Sequence, residues 1–122
     1  MNHYCPYMYP YPFHHMPVYG YGHHPMHWMN SIDLKDNGKR PFVVNINRAA
    51  QQNRTFRTAL WTGKHLQVTL MSINVGEDIG LEVHPSTDQF LRIEDGQGIV
   101  QMGDREDRLY FQQNVSDDDA IM

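Results

Sequence analysis

The sequence predicts an all-β fold, a sandwich or barrel, and three observations carry that expectation. From Phe56 onward, short runs rich in β-branched and aromatic residues follow one another closely. Glycine, proline and aspartate punctuate them at turn positions. No part of that region keeps the apolar period of a long helix.

The elements follow in order. Thr58 to Thr62 (TALWT) ends at Gly63, and Leu66 to Asn74 (LQVTLMSIN) follows after a very short connection, so the two are expected to pair as a hairpin. Gly80 to His84 (GLEVH) reads as a third strand, closed by Pro85, which has no backbone donor. Gln89 to Glu94 (QFLRIE) and Gly98 to Met102 (GIVQM) flank Asp95-Gly96-Gln97, a second predicted hairpin with glycine at the tight position. Leu109 to Asn114 (LYFQQN) is a further strand, and Ala120-Ile121-Met122 opens another. Several short strands without a long helix between them suit a sandwich or barrel.

The residues before Phe56 divide in two. Met1 to Asn30 holds six of the seven tyrosines, six of the eight histidines, five of the eight methionines and five of the seven prolines. Pro6, Pro10, Pro12, Pro17 and Pro25 interrupt any helix or ladder, so this stretch is expected to be a disordered, adhesive low-complexity tail. Residues 31–55 read as a linker and lead-in. A turn is predicted at Asp36-Asn37-Gly38, a β-prone run at Pro41 to Asn47, and one or two helical turns at Arg48 to Arg54 with Asn47 as cap. The expected organisation is therefore tail 1–30, lead-in 31–55 and β-domain 56–122.

Composition narrows the function classes. Cys5 stands alone, so no intrachain disulfide forms, which fits a reducing compartment. No apolar run is long enough to span a membrane, and no basic region precedes an apolar stretch as in a secretory signal; a cytoplasmic protein is expected. Charge is uneven. Residues 1–75 carry seven Lys/Arg against Asp33 and Asp36, whereas residues 76–122 carry three Arg against twelve acids. Arg48, Arg54 and Arg57 lack the dense aromatic-basic interleaving of a nucleic-acid groove, and nucleic acid is not an expected partner. The acids near Arg105 to Arg108 and at Asp117 to Asp119 are expected in solvated loops.

The chemically informative stretch is Gly76 to Gly96. Glu82 and His84 are two apart on a strand, so they share a face. Pro85 and the residues after it lead to Gln89, which shares a face with Leu91 and Ile93. If both faces look into one barrel, Glu82, His84 and Gln89 converge among apolar neighbours. A carboxylate and an imidazole so placed suit a divalent metal. The competing readings are a polar network that binds no metal and a chance coincidence of spacing. His65, after Gly63-Lys64, reads as a loop histidine.

This stretch resembles the first motif of the cupin superfamily: glycine, five residues, His-x-His, three or four residues, glutamate, six residues, glycine. Gly76, Glu82-Val83-His84, Gln89 and Gly96 keep every spacing. By resemblance Glu82 takes the first histidine position, His84 the second and Gln89 that of the glutamate. The resemblance implies a cupin-type jelly-roll barrel, a homodimer with outward aromatics such as Phe90 at its interface, and Mn, Fe, Zn or Ni as metal. It also implies a small-molecule or sugar ligand and, if the protein is an enzyme, isomerase or dioxygenase chemistry. The family's second motif, a histidine in a Pro/Gly-rich loop, has no counterpart after His84, so the expected barrel is partial: a fragment, or one closed by another chain.

The tail supports a different class. Met1-Asn2-His3 resembles the amino-terminal copper/nickel motif, which makes His3 a second candidate metal ligand. Its tyrosine-rich composition resembles that of bacterial spore-coat proteins. On that resemblance the protein is structural, localised to the spore coat, with the tail adhering or cross-linking and the barrel as a dimerisation module.

Overall fold

The computed structural model describes the backbone of Tyr4–Pro10 and, in full, residues 31–122. Expectations for residues 1–3 and 11–30, including His3 as a ligand, fall outside the described residues. The described chain is all-β apart from one short helix. It divides into two compact units, one of Met1–His14 with Ile73–Met122, the other of His15–Ser72. The charge imbalance follows this division: seven Lys/Arg and two Asp lie in the second unit, three Arg and twelve acids in the first.

In the His15–Ser72 unit, helix α1 (Ile46–Gln52) packs on a hairpin of β2 (Arg57–Thr62) and β3 (Gln67–Met71). The helix begins two residues earlier than the sequence predicts. Its N-cap is Asn45, not Asn47: the Asn45 side chain accepts the Arg48 N–H at 3.0 Å, satisfying a donor that the first turn leaves open. The β-prone run at Pro41 to Asn47 is consequently not a strand. Val43 there is 98% exposed, while Val44 is half-buried against the core, so a single valine anchors the segment.

Ala49, Leu60 and Leu70 form the core of this unit, with Ile32, Leu34, Val44, Ala50 and Val68 against them. The predicted lead-in 31–55 is thus part of a packed unit with the first hairpin. Leu60 is the bulged residue of β2, between the pairs Ala59–Thr69 and Trp61–Val68. Its carbonyl, freed from the ladder, accepts the Asn37 N–H at 2.9 Å. The predicted turn at Asp36-Asn37-Gly38 is present, with the Asp36 carboxylate accepting the Gly38 N–H at 2.9 Å. That carboxylate also accepts the Thr62 hydroxyl; this bond chiefly, then the Gly38 amide, holds its pKa below the ordinary value. Gly38 lies so close to the Thr62 backbone that a Cβ would overlap it.

Asn53 is the buried polar residue where the helix ends, 3% exposed. Its N–H bonds to Ala49 O and Ala50 O, its amide donates to Thr55 O, and its Oδ1 accepts the hydroxyls of Thr55 and Thr58. One side chain therefore joins the end of α1 to the start of β2.

In the other unit a four-stranded antiparallel sheet runs in the order β4 (Glu82–Val83), β1 (Tyr4–Pro10), β6 (Gln97–Gly103), β7 (Phe111–Ser116). A second ladder pairs β5 (Leu91–Arg92) with β8 (Ala120–Ile121). Bonds between Ile93 and Asp118–Asp119 extend it. Ile93, Val100, Val115 and Ile121 form the core, with Leu91 and Met102 packed on it. These ladders do not close into a barrel among the described residues.

Two expectations are corrected here. Tyr4–Pro10, expected to be disordered, is a strand paired with both β4 and β6. Its prolines are accommodated because Pro6 falls at the register shift between Tyr4 and Tyr7, and Pro10 ends the strand. The predicted hairpin between Gln89–Glu94 and Gly98–Met102 does not form: β5 pairs with β8, and β6 pairs with β1 and β7. The turn glycine was correctly placed, since Gly96 has φ +98°, but it redirects the chain between two different sheets. The acids at 104–108 and 117–119 lie in turns, mostly exposed, as expected.

Candidate functional site

Two short strands, β4 and β5, and the segment between them deliver the candidate side chains. Glu82 opens β4, His84 follows it by two residues, and Gln89 lies two residues before β5. Alternation places Glu82 and His84 on one face, with Val83 between them turned to the exposed side at 43%. The segment 85–88 is exposed and returns the chain to Gln89, which is half-buried. Phe90 next to it is 65% exposed, and Leu91 and Ile93 turn inward, matching the face assignment made from sequence.

The three residues meet. His84 Nε2 lies 3.1 Å from Glu82 Oε2 and 3.5 Å from Gln89 Nε2. The Glu82 and His84 side chains are each 32% exposed, so the cluster is open to solvent and to a ligand. Its chemistry follows from one atom. A ring nitrogen carries either a hydrogen or a lone pair, so Nε2 cannot both donate to Glu82 and accept from Gln89. A cation bound here would be held by the His84 Nε2 lone pair and the Glu82 carboxylate, with the Gln89 amide oxygen as a neutral donor beside them.

Glu82 and His84 are the two firm donors of the group, and no cluster of three His, Cys, Asp or Glu side chains is present among the described residues. His65 lies in the exposed β2–β3 loop, apart from this group in the chain's other unit. A cavity of about 260 Å³ over β6 and β7 is lined by Gln97, Gly98, Asn114, Val115 and Ser116, none of them a candidate residue. No helix among the described residues is long and apolar enough to cross a membrane.

Sequence reasoning missed the strand that supports this site. Glu82 is the register partner of Cys5, and Val83 that of Tyr4, so β1 fixes β4 in place. A signal existed: Tyr7, Tyr9 and Tyr11 recur at the strand period. Pro6, Pro10 and Pro12 around them obscured it.

No protein-family model matches the chain. It is 72% identical over 89 residues to the uncharacterized protein YrkC of Bacillus subtilis (strain 168), covering 73% of this chain and 48% of that protein. It is 38% identical over 71 residues to the uncharacterized protein L612 of Acanthamoeba polyphaga mimivirus, covering 58% of this chain and 44% of that protein. The chain thus spans about half the length of the curated relatives it matches. Among solved structures, BH2720 from Bacillus halodurans, determined at 1.41 Å, is 68% identical with a TM-score of 0.70 over 71% of this chain and 66% of that one. This similarity supports the all-β class.

Proposed function

We propose that Glu82, His84 and Gln89 are the polar centre of a cupin-type jelly-roll barrel that binds a divalent transition metal or a small polar ligand such as a sugar. The observation that carries this reading is that the Glu82 carboxylate and the Gln89 amide both lie within 3.5 Å of the His84 ring nitrogen, where β4 ends and just before β5 begins. The motif spacing Gly76, Glu82-Val83-His84, Gln89, Gly96 supports it independently. In this reading Glu82 and His84 hold the ion, Mn, Fe, Zn or Ni, and Gln89 orients a ligand or water. Any catalysis is of isomerase or dioxygenase type. The protein works in the cytoplasm as a homodimer, with Phe90 at its interface.

The test is metal content after dialysis, on the full chain, since the first strand belongs to the sheet. Wild type is expected to retain metal that His84→Ala loses, the difference discounting ions held by the N-terminal histidines. Two firm donors hold an ion weakly, because catalytic zinc sites normally use three. Gln89→Glu is therefore expected to raise retention by adding a charged ligand. Equal metal in wild type and His84→Ala refutes the assignment.

A second reading, a spore-coat structural protein, is favoured by the concentration of six of seven tyrosines in the first thirty residues. It predicts dityrosine cross-linking on mild oxidation that depends on those residues, with Glu82→Gln and His84→Ala without effect.

A further inference from the structure

The turn at Asp36-Asn37-Gly38 carries the one Asn-Gly pair of the chain. Asparagine before glycine is the pair most open to succinimide formation, because glycine has no Cβ to keep its amide nitrogen away from the asparagine side chain. The reaction balances without an enzyme. The Gly38 nitrogen loses its proton and bonds to Asn37 Cγ; the Cγ–Nδ2 bond breaks, and Nδ2 leaves as ammonia with that proton. Water then opens the ring at either carbonyl, giving aspartate or isoaspartate.

The fold engages the groups that this reaction must free. The Gly38 N–H, source of the nucleophile, donates to Asp36 Oδ1 at 2.9 Å. A carboxylate there opposes loss of the amide proton, which would set two negative charges side by side. Asn37 Nδ2, the leaving group, donates to Lys35 O at 2.8 Å and to Leu60 O at 3.4 Å, and the Asn37 N–H donates to Leu60 O at 2.9 Å. Gly38 is packed against the Thr62 backbone, and the Thr62 hydroxyl holds the Asp36 carboxylate, which leaves the Asn37–Gly38 peptide little room to turn toward Cγ. We propose that Asn37 is a latent modification site, guarded by these contacts while the His15–Ser72 unit is folded and converted to aspartate or isoaspartate when the turn stays open. The product does not fit back. A carboxylate has no N–H to give Lys35 O and Leu60 O, it stands beside Asp36, and isoaspartate also lengthens the backbone by a methylene. Leu60 is a buried core residue at the bulge of β2, so losing Asn37 there weakens the join between the 31–40 segment and the hairpin. A prolonged opening thus leaves a permanent mark on the chain.

Conversion is followed on the full chain in mildly alkaline buffer, folded and in guanidinium chloride, by the mass of the tryptic peptide 36–39, where Asn37 is the one asparagine. Each chain is compared with itself unfolded, which cancels the effect of a substitution on the intrinsic rate. Wild type is expected to convert at least about tenfold more slowly when folded, because the reaction waits for the turn to open. Asp36→Ala is expected to lose most of that protection with circular dichroism unchanged. Thr62→Val, which keeps the carboxylate but removes its hydroxyl partner, is expected to lose part of it. Asn37→Asp, equivalent to one product, is expected to melt at a lower temperature than wild type. Equal rates in folded and unfolded wild type overturn the proposal, and so does full protection in both folded variants. Should Asp36→Ala fail to fold, Thr62→Val decides alone. Asn37→Asp melting at or above the wild-type temperature overturns the permanent mark and leaves the guarded site standing.

Discussion

At the residue scale, adjacent side chains do opposite work. Leu91 packs on the cluster of Ile93, Val100, Val115 and Ile121. Arg92 faces outward and bridges Glu94 at 2.8 Å and Asp118 at 2.6 Å, partners 11% and 80% exposed. Leu91→Asp is expected to cost several kcal/mol, because a carboxylate placed against an apolar core has no partner there. Arg92→Ala is expected to cost about 1–2 kcal/mol for two partly solvated bridges, and less at high salt. Urea denaturation of the two variants measures the order; the reverse order would put the strand one residue out of register. Alternation alone assigned these faces, because inward and outward positions on a strand follow directly from sequence parity. The convergence of Glu82, His84 and Gln89 was legible for the same reason. The backbone pairing of Cys5 with Glu82 was not, because the two are seventy-seven positions apart in the chain.

At the element scale, short elements take their limits from their neighbours. Helix α1 is seven residues long, too short to persist alone, and its start depends on the Asn45 cap and on Ala49 packing against Leu60 and Leu70. Asn45→Ala is expected to lower stability by about 1 kcal/mol, and Asn45→Asp to retain most of it, measured by thermal unfolding. Expecting the cap at Asn47 put the helix two residues late, since both asparagines offer the same local chemistry. Burial of Ala49 and the packing of half-buried Val44 against the same core chose between them. The β2–β3 hairpin was legible because its strands adjoin in sequence and Gly63 N–H closes on Leu66 O at 2.8 Å. Gln89–Glu94 and Gly98–Met102 offered an equally good local hairpin, but Ile121 and Ala120 took the place beside Leu91 and Arg92. Burial of Ile121 with Ile93 and Val115 favours that partner.

At the scale of the whole molecule, the first residues are structural. The pairs Tyr7–Gln101, Met8–Val100, Tyr9–Ile99 and Pro10–Gly98 place β1 along most of β6. Deleting residues 1–10 would leave one side of β6 without its ladder and expose a strand edge, a template for association. Faster hydrogen exchange at the β6 amides that face β1 is expected in the deletion variant, together with concentration-dependent oligomers in sedimentation. Unchanged β6 protection would show that β1 contributes nothing to the sheet. The same strand makes the metal test meaningful only on the full chain, because β1 holds the strand that carries Glu82.

The sequence by itself determined the all-β class, the first hairpin, the turns at Gly38 and Gly96, the inward faces of Leu91 and Ile93, and the meeting of Glu82, His84 and Gln89. All of these depend on residues close together in the chain, where strand parity and turn chemistry act directly. Tertiary structure alone decided that Tyr4–Pro10 pairs between β4 and β6, that β5 pairs with β8, and that 31–55 packs with the first hairpin. Each of those is a choice among distant partners of similar local quality. Backbone hydrogen bonds are alike for every candidate strand, so the burial of particular side chains and the completion of open ladders settle which partner is taken.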